Sequence, residues 1–298
     1  MNGPIAILGQ GAWGQALGST LSAAGRDVVA WDRKTDDSLL AKADLVLAAV
    51  PAQATREVLR RVATSLRAGV PLVLTAKGLE TGTQNRQSQI AAQIVRGNPA
   101  IVLSGPGFAA DLTKGLPTAV TLAVPATFAR SDAEVVQARL ATPSLRPYLT
   151  TDMIGVELGG ALKNVIAIAC GVAIGAGLGE SARAALMARG LGEMSRIAIA
   201  FGAHMATLQG LSGLGDLVLT STSAQSRNYS YGLALGEAGR APEEGTYEGT
   251  HTAGAAVELC TSMGFDAPII RTTAALVAGR LTVSEAITQL TSRPLRHE

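Results

Sequence analysis

Cysteine is scarce: Cys170 and Cys260 are the only two in 298 residues, far apart and without the short spacings of metal or redox motifs. That excludes a disulfide-framed fold and agrees with reduced thiols in a cytoplasmic protein. Histidine is equally sparse. His204, His251 and His297 share no spacing, so they read as structural or surface residues, and no metal centre is expected. Aromatic residues make up 3% of the chain, so the core must be built from Ala, Val, Leu and Ile. Net charge is +2, too near neutral to point to nucleic acid or an anionic membrane as partner. The longest uncharged apolar run, Val165–Leu178, is too short and too glycine-rich to span a bilayer. The start, MNGPIAILG, turns into a strand at once, so no leader peptide is expected.

Glycine is what the chain has in number, 34 residues, and the first cluster is informative. An apolar strand, Ile5–Leu8, runs into Gly9-Gln10-Gly11-Ala12-Trp13-Gly14, then into a helical stretch, Gln15–Ala24, ended by Gly25, then into a second strand, Asp27–Trp31. A GxGxxG turn is weak alone. Set between a strand and a helix in a unit of βαβ size, it signals dinucleotide binding: the glycines let the backbone approach the pyrophosphate, and the helix N-terminus supplies N–H donors. The second strand closes on Asp32-Arg33. An acid there normally takes the ribose hydroxyls of NAD, whereas an arginine accommodates the 2′-phosphate of NADP. With both present, NAD and NADP remain open.

Strand and helix go on alternating. Strands are expected at Asp44–Val50, Pro71–Thr75, Ala100–Leu103, Thr118–Val124 and Pro147–Thr150, with helices at Ala54–Leu66, Gln84–Arg96 and Asp132–Ala141. Ligands of such a sheet sit at the carboxyl ends of the strands. Gly14, Arg33, Pro51, Lys77 and Gly105 fall there, and Lys77 reads as an anion contact as readily as a surface charge. From about Thr151 the strand signals stop. Helices are expected at Gly155–Ile174, Glu180–Phe201, Gly249–Met263, Pro268–Ala278 and Thr282–Leu290, the last capped by Thr282 with Glu285 three residues on. Residues Gly210–Leu217 read as a glycine-rich turn carrying Asp216, and Arg227-Asn228 as a polar pair after a Ser/Thr-rich stretch. The fold class is therefore an α/β N-terminal Rossmann-like dinucleotide-binding domain, residues 1–150, followed by an all-α C-terminal domain, residues 151–298.

The stretch Gly155–Gly179 organises the second half. It is apolar enough to lie buried, yet it carries Lys163, with Gly160 and Gly159 at i−3 and i−4 on the same helical face. Two interior glycines cost roughly 2 kcal/mol against alanine, so something must come close to the backbone there. A ligand or a tightly crossing helix would serve equally. A lysine in so apolar a run is desolvated, which lowers its pKa and suits it to proton transfer near neutral pH.

The motifs, in order, are GxGxWG, Ala76-Lys77-Gly78, Ser104-Gly105-Pro106, ELGGALKN at Glu157–Asn164, Gly213-Leu214-Gly215-Asp216-Leu217 and Ser226-Arg227-Asn228. In these motifs, over nearly its whole length, the chain resembles the bacterial NAD(P)-dependent glycerol-3-phosphate dehydrogenases. The resemblance implies reversible hydride transfer between NAD(P)H and dihydroxyacetone phosphate, giving sn-glycerol 3-phosphate for glycerophospholipid synthesis. It implies Lys163 as the catalytic proton donor and acceptor, with Asp216 fixing its ammonium. Lys77, Gly105, Asp216, Ser226, Arg227 and Asn228 would hold the substrate beside Lys163. Gly9, Gly11, Ala12, Trp13, Gly14, Arg33, Ala109 and Glu248 would line the dinucleotide, with Lys77 and Arg227 near it. A homodimer is expected, because the helical half is unusually apolar.

Three departures stand out. Only Lys34–Ala43 joins the second strand to the next, where the family carries some tens of residues, which trims the adenine side of the site and bears on Arg33. Gly107 replaces a usual Ser, and Thr246 a usual Val. Two other readings compete: a related β-hydroxyacid or ketopantoate-type dehydrogenase, for whose unphosphorylated substrate Arg227 and Lys77 would be less useful, and a cofactor-binding regulator without turnover, which would be free to lose the Lys163–Asp216 pair.

Overall fold

The computed structural model describes residues 3–242 and 245–292; His297 lies outside them. Seven strands form one sheet: β1 (Ile5–Leu8), β2 (Val28–Trp31), β3 (Leu45–Ala48), β4 (Leu72–Leu74), β5 (Ala100–Ser104), β6 (Thr118–Ala123) and β7 (Leu145–Thr150), in the order β2-β1-β3-β4-β5-β6-β7. The first five are mutually parallel, β6 runs antiparallel to β5, and β7 is parallel to β6. Strands β1, β3 and β4 are buried at every position, as expected for parallel strands covered on both faces.

The helices interleaved with the sheet are α1 (Ala12–Ala23), α2 (Thr55–Val62), α3 (Gln87–Ile94), α4 (Ala109–Thr113) and α5 (Arg130–Leu140). In α2 the buried residues Thr55, Val58, Leu59 and Val62 recur at i, i+3, i+4 and i+7, the stripe that a helix turns to a sheet. Helix α1 begins at Ala12, three residues before the sequence pattern placed it, because the glycine turn itself winds into the first helical turn.

After β7 the described chain is helical: α6 (Met153–Gly175), α7 (Gly179–Ala200), α8 (Met205–Leu208), α9 (Asp216–Ser221), α10 (Arg227–Ala238), α11 (Glu248–Ser262), α12 (Pro268–Val277) and α13 (Val283–Thr291). Helix α6 is the axle. Every residue from Gly155 to Ala173 is buried. It is long and apolar enough to cross a membrane, and its apolar window is 89% buried inside the molecule.

Two expectations are corrected here. Gly210–Leu217 is not an open turn: Leu211–Gly215 makes one wide helical turn that passes directly into α9, so Asp216 is a helical residue. The polar pair Arg227-Asn228 starts α10, a helix absent from those expected of the sequence. Ser226 caps it by accepting a hydrogen bond from the Tyr229 N–H, and Gly239 closes it in the left-handed conformation.

Glu193, on α7, is buried and accepts hydrogen bonds from the Ile269 and Ile270 N–H groups. It thus satisfies the first turn of α12, whose Pro268 supplies no donor.

Candidate active site

The loops leaving β1, β3, β4 and β5 lie on the side of the sheet that meets the helical half, and each contributes one feature. Gly9 has φ +100°, and a Cβ there would meet the Ala49 carbonyl at 2.6 Å. A Cβ at Gly14 would lie 2.1 Å from the Gly9 carbonyl oxygen. Both glycines are therefore demanded by the turn. Gly11 is not, because nothing lies within 4 Å of its missing Cβ and the residue is exposed. Open space over a glycine at the N-terminus of a twelve-residue helix is the cradle a pyrophosphate would fill. Ala12, Trp13 and Gly14, the first residues of α1, bring backbone N–H groups to it.

Lys77 follows β4. Its Nζ donates to the Gly105 carbonyl at 2.7 Å and to Asp216 Oδ2 at 2.6 Å. Gly105 follows β5 at φ +150°, where a Cβ would sit 2.9 Å from Val120 Cα, so only glycine brings that carbonyl under the lysine.

Lys163, on α6, places Nζ 3.1 Å from Asp216 Oδ1. One carboxylate thus carries two ammonium groups. Asp216 is 1% exposed, and the Lys163 side chain 4%. Burial pushes the Lys163 pKa down from 10.5 to about 8. Asp216 opposes that shift and the charge of Lys77 adds to it. The desolvation inferred from the apolar sequence is present.

The two glycines preceding Lys163 behave differently from the ligand reading. A Cβ at Gly159 would press on the Ser212 carbonyl at 3.0 Å, and one at Gly160 on Ser104 Oγ at 2.6 Å. Both positions are packed by the protein's own atoms. They draw the chain that carries Asp216, and the end of β5, onto α6.

Ser104 was not foreseen as a site residue. Its hydroxyl is buried without a hydrogen-bond partner beside α6. Asn164 donates to the Lys77 carbonyl at 2.8 Å and so holds the β4 loop against the helix. Glu157, first residue of the ELGGALKN motif, accepts from Arg86 Nη1 at 2.6 Å and from both the N–H and Oγ of Ser88 at 2.7 Å. It pins the start of α3 to α6.

The third group gathers at the N-termini of α10 and α11. Arg227 is exposed at the first position of α10. Asn228 is buried, and its Oδ1 accepts from the Gly249 N–H at 2.9 Å. Gly249 in turn packs against the Asn164 carbonyl, 2.8 Å from where its Cβ would be. Glu248 Oε1 accepts from the Ala52 N–H at 3.0 Å, joining α11 to the loop after β3. Burial raises the Glu248 pKa, and His251 and Arg227 partly offset this. Its Oε2 lies buried without a hydrogen-bond partner beside Gly78. Ser226 and Asn228 thus have structural duties that the sequence reading did not assign.

Ala109 opens α4. Gly107, before it, lies under the Trp13 ring, and a side chain there would meet the Thr118 methyl at 2.9 Å. Arg33 is apart from all of these. It is exposed and faces Glu57 at 3.8 Å on the outer rim. Asp32 Oδ1 accepts from the N–H groups of Lys34 and Thr35 and from the Thr35 hydroxyl, bonds that hold its pKa below the usual carboxylate value. The shortened loop is fastened by Arg61, which bonds Asp37 and the carbonyls of Arg33 and Thr35 and lies over the Trp31 ring. Among the described residues no cluster of three metal-ligating side chains occurs.

The C-terminal family model of NAD-dependent glycerol-3-phosphate dehydrogenase matches residues 152–288, and the N-terminal model matches 4–39 and 34–129. The chain belongs to the NAD-dependent glycerol-3-phosphate dehydrogenase family. The two N-terminal matches meet inside the shortened loop. A relative from Cereibacter sphaeroides named glycerol-3-phosphate dehydrogenase [NAD(P)+] is 50% identical, covering 99% of this chain and 100% of that protein. One of the same name from Chelativorans sp. is 46% identical over 99% and 98%. The crystal structure of glycerol-3-phosphate dehydrogenase from Coxiella burnetii superposes with a TM-score of 0.91 at 34% identity, over 98% of this chain and 99% of that one. The family assignment sets aside the β-hydroxyacid, ketopantoate and regulator readings. The chain is an NAD(P)-dependent oxidoreductase.

Proposed function

We propose that Lys163 is the proton donor and acceptor of an NAD(P)-dependent glycerol-3-phosphate dehydrogenase working between dihydroxyacetone phosphate and sn-glycerol 3-phosphate. The observation that carries this is the buried Lys163–Asp216 pair, with Lys163 at a pKa of about 8. When bound, the reduced nicotinamide supplies the hydride that adds to C2 of the ketone. The C2 oxygen then needs a proton and, before it arrives, a positive charge, and the Lys163 ammonium provides both. Asp216 holds that ammonium in place. In the reverse direction neutral Lys163 takes the proton from the C2 hydroxyl.

The substrate phosphate would be taken by Arg227, whose planar fork suits two phosphate oxygens, with the N–H groups at the start of α10 and with Lys77. Gly105, Ser226 and Asn228 would shape the same pocket. Gly9, Gly11, Ala12, Trp13, Gly14, Ala109 and Glu248 would line the dinucleotide. Arg33 would reach its adenosine 2′-phosphate by giving up its exposed contact with Glu57. Residues 1–150 would serve as the cofactor-binding domain and 151–298 as the substrate domain.

The test is the pH dependence of both directions. Reduction needs charged Lys163 and should fall as pH rises through about 8; oxidation needs neutral Lys163 and should rise across the same range. Lys163→Met and Lys163→Arg should each lose at least about 10²-fold in kcat, because a guanidinium does not release its proton near neutral pH. A folded Lys163→Met protein with near-normal turnover would sink the assignment.

We also propose that the chain works in the cytoplasm and forms a homodimer, the dimer being supported by exposed apolar side chains on the helical half such as Leu178, Ile199 and Met205. A monomeric mass by light scattering at micromolar concentration would overturn it.

A further inference from the structure

We propose that the groove between α7, α12 and α13 is a binding site for a medium-chain fatty acid, with its alkyl chain against α6 and its carboxylate on Arg189.

The groove encloses about 410 Å3, a volume typical of small-molecule sites. Its floor is the Ala169–Ala173 stretch of α6, where alanines leave the space unfilled. One wall is the α7 stripe Ala182, Ala185, Leu186 and Arg189, spaced i, i+3, i+4 and i+7 on one helical face. Helices α12 and α13 form the other wall. A helix normally buries such a stripe against a neighbour, yet here Ala185 is exposed and Leu186 only half-buried.

The polar groups stand together at one end. Glu193 of α7 accepts from the N–H groups that open α12. The α7 residues facing the groove precede Glu193, while those of α12 run on from Pro268 to Leu276. The two helices therefore run antiparallel, and Arg189, one turn before Glu193, stands level with Thr272, one turn into α12. Both are unmet. Arg189 is exposed and makes no hydrogen bond or ion pair among the described residues. Thr272 is buried, and its Oγ1 has no hydrogen-bond partner. A guanidinium fork beside a hydroxyl donor suits a carboxylate.

The rest of the lining narrows the ligand further. Among the described residues, Arg189 is the only charged side chain on the groove, which matches a singly charged anion rather than a phosphate dianion or an ammonium. No aromatic side chain lines it among those residues, so a planar ring has no face to stack on. From Arg189 back to Ala182 the wall runs seven residues, about 10 Å, the length of a medium alkyl chain.

Isothermal titration of the full-length enzyme with hexanoate, octanoate, decanoate and dodecanoate, each below its micelle concentration, tests the site. Affinity should rise about fourfold per methylene until the chain fills the groove, and then level off. Decanol and decylammonium should each bind about tenfold more weakly than decanoate, or worse. Arg189→Met should weaken decanoate binding by about tenfold and leave decanol unchanged. Ala185→Phe, at an exposed position where a larger side chain is tolerated, should abolish binding of both.

Equal affinity for decanoate and decanol in the wild type would overturn the proposal, as would no binding at millimolar decanoate. Binding that survives Ala185→Phe would put the chain elsewhere on the protein. Two other occupants have their own signatures, and either would also overturn it. Binding seen only after removal of residues 293–298 would give the groove to the chain's own end. A dimer that dissociates as decanoate binds, by light scattering, would give it to a second copy.

Discussion

A carboxylate taken out of water costs several kcal/mol unless its charge is met, and Asp216 shows how this chain meets that cost. It sits at the first position of α9, 1% exposed, between two ammonium groups. The arrangement sets two ammonium groups against one carboxylate, suited to an alkoxide forming on a substrate carbon. Arg227 is placed to do a different job. It is exposed at the N-terminus of a twelve-residue helix, beside the approach to Glu248, where an anion would gain both the guanidinium fork and the helix N–H groups. Truncating one partner of a charge pair that a bound ligand buries costs about 2–5 kcal/mol. Arg227→Ala should accordingly raise KM for dihydroxyacetone phosphate while leaving activity on unphosphorylated dihydroxyacetone little changed. Steady-state kinetics on the two substrates decides it: equal losses on both would put the phosphate elsewhere.

Among the elements, α6 and α10 make the closest crossing, and glycine is the reason. Gly171 and Gly175 on α6 face Gly232 and Gly236 on α10. A Cβ at Gly171 would lie 2.2 Å from the Tyr229 carbonyl oxygen, and one at Gly232 would lie 2.1 Å from that of Ile168. These contacts are to backbone, which cannot swing aside. Gly171→Ala should destabilise the protein by about 1–3 kcal/mol through overpacking, read as a lower denaturant midpoint with an unchanged slope. An unchanged midpoint would mean the helices separate freely. The same crossing explains where sequence reading stopped. The sheet strands and α2 were legible because their apolar residues recur at periods of 2 or 3.6 or fill short runs. Helix α10, RNYSYGLALGEA, was not, because its buried stripe of Asn228, Tyr231, Gly232 and Leu235 holds only two large apolar residues among glycine and polar ones. Its signals were the Ser226 cap, the closing Gly239 and the four-residue spacing of Gly232 and Gly236. Gly159 and Gly160 announced a close approach, but not that Ser212 and Ser104 would make it. Lys163 was legible as a charge stranded in an apolar run. The Lys77–Asp216 contact was not, because 139 residues separate the pair and no local pattern encodes their meeting.

The whole molecule bears the cost of keeping Lys163 buried. Its pKa is about 8 in the folded protein against an ordinary 10.5. Between those values the unfolded chain binds more protons than the folded one, so stability rises with pH across that window, and the cost is fully present below about 8. At 1.36 kcal/mol per unit, a shift of this size corresponds to about 3 kcal/mol. Replacing the lysine by an apolar side chain of similar length removes the cost, but it also leaves Asp216 with Lys77 alone. The net gain should therefore be smaller, about 1–3 kcal/mol. Lys163→Met should unfold at higher denaturant than the wild type at pH 7, and the difference should shrink as pH climbs from about 8 toward 10.5. The wild type gains stability over that range as its lysine loses its proton, and Lys163→Met has no such proton to lose. Chemical denaturation at several pH values measures both features. A Lys163→Met protein less stable than the wild type at pH 7, or a difference that does not vary with pH, would show that the ammonium is paired without penalty and that its depressed proton affinity is not the source of the expected pH dependence of turnover.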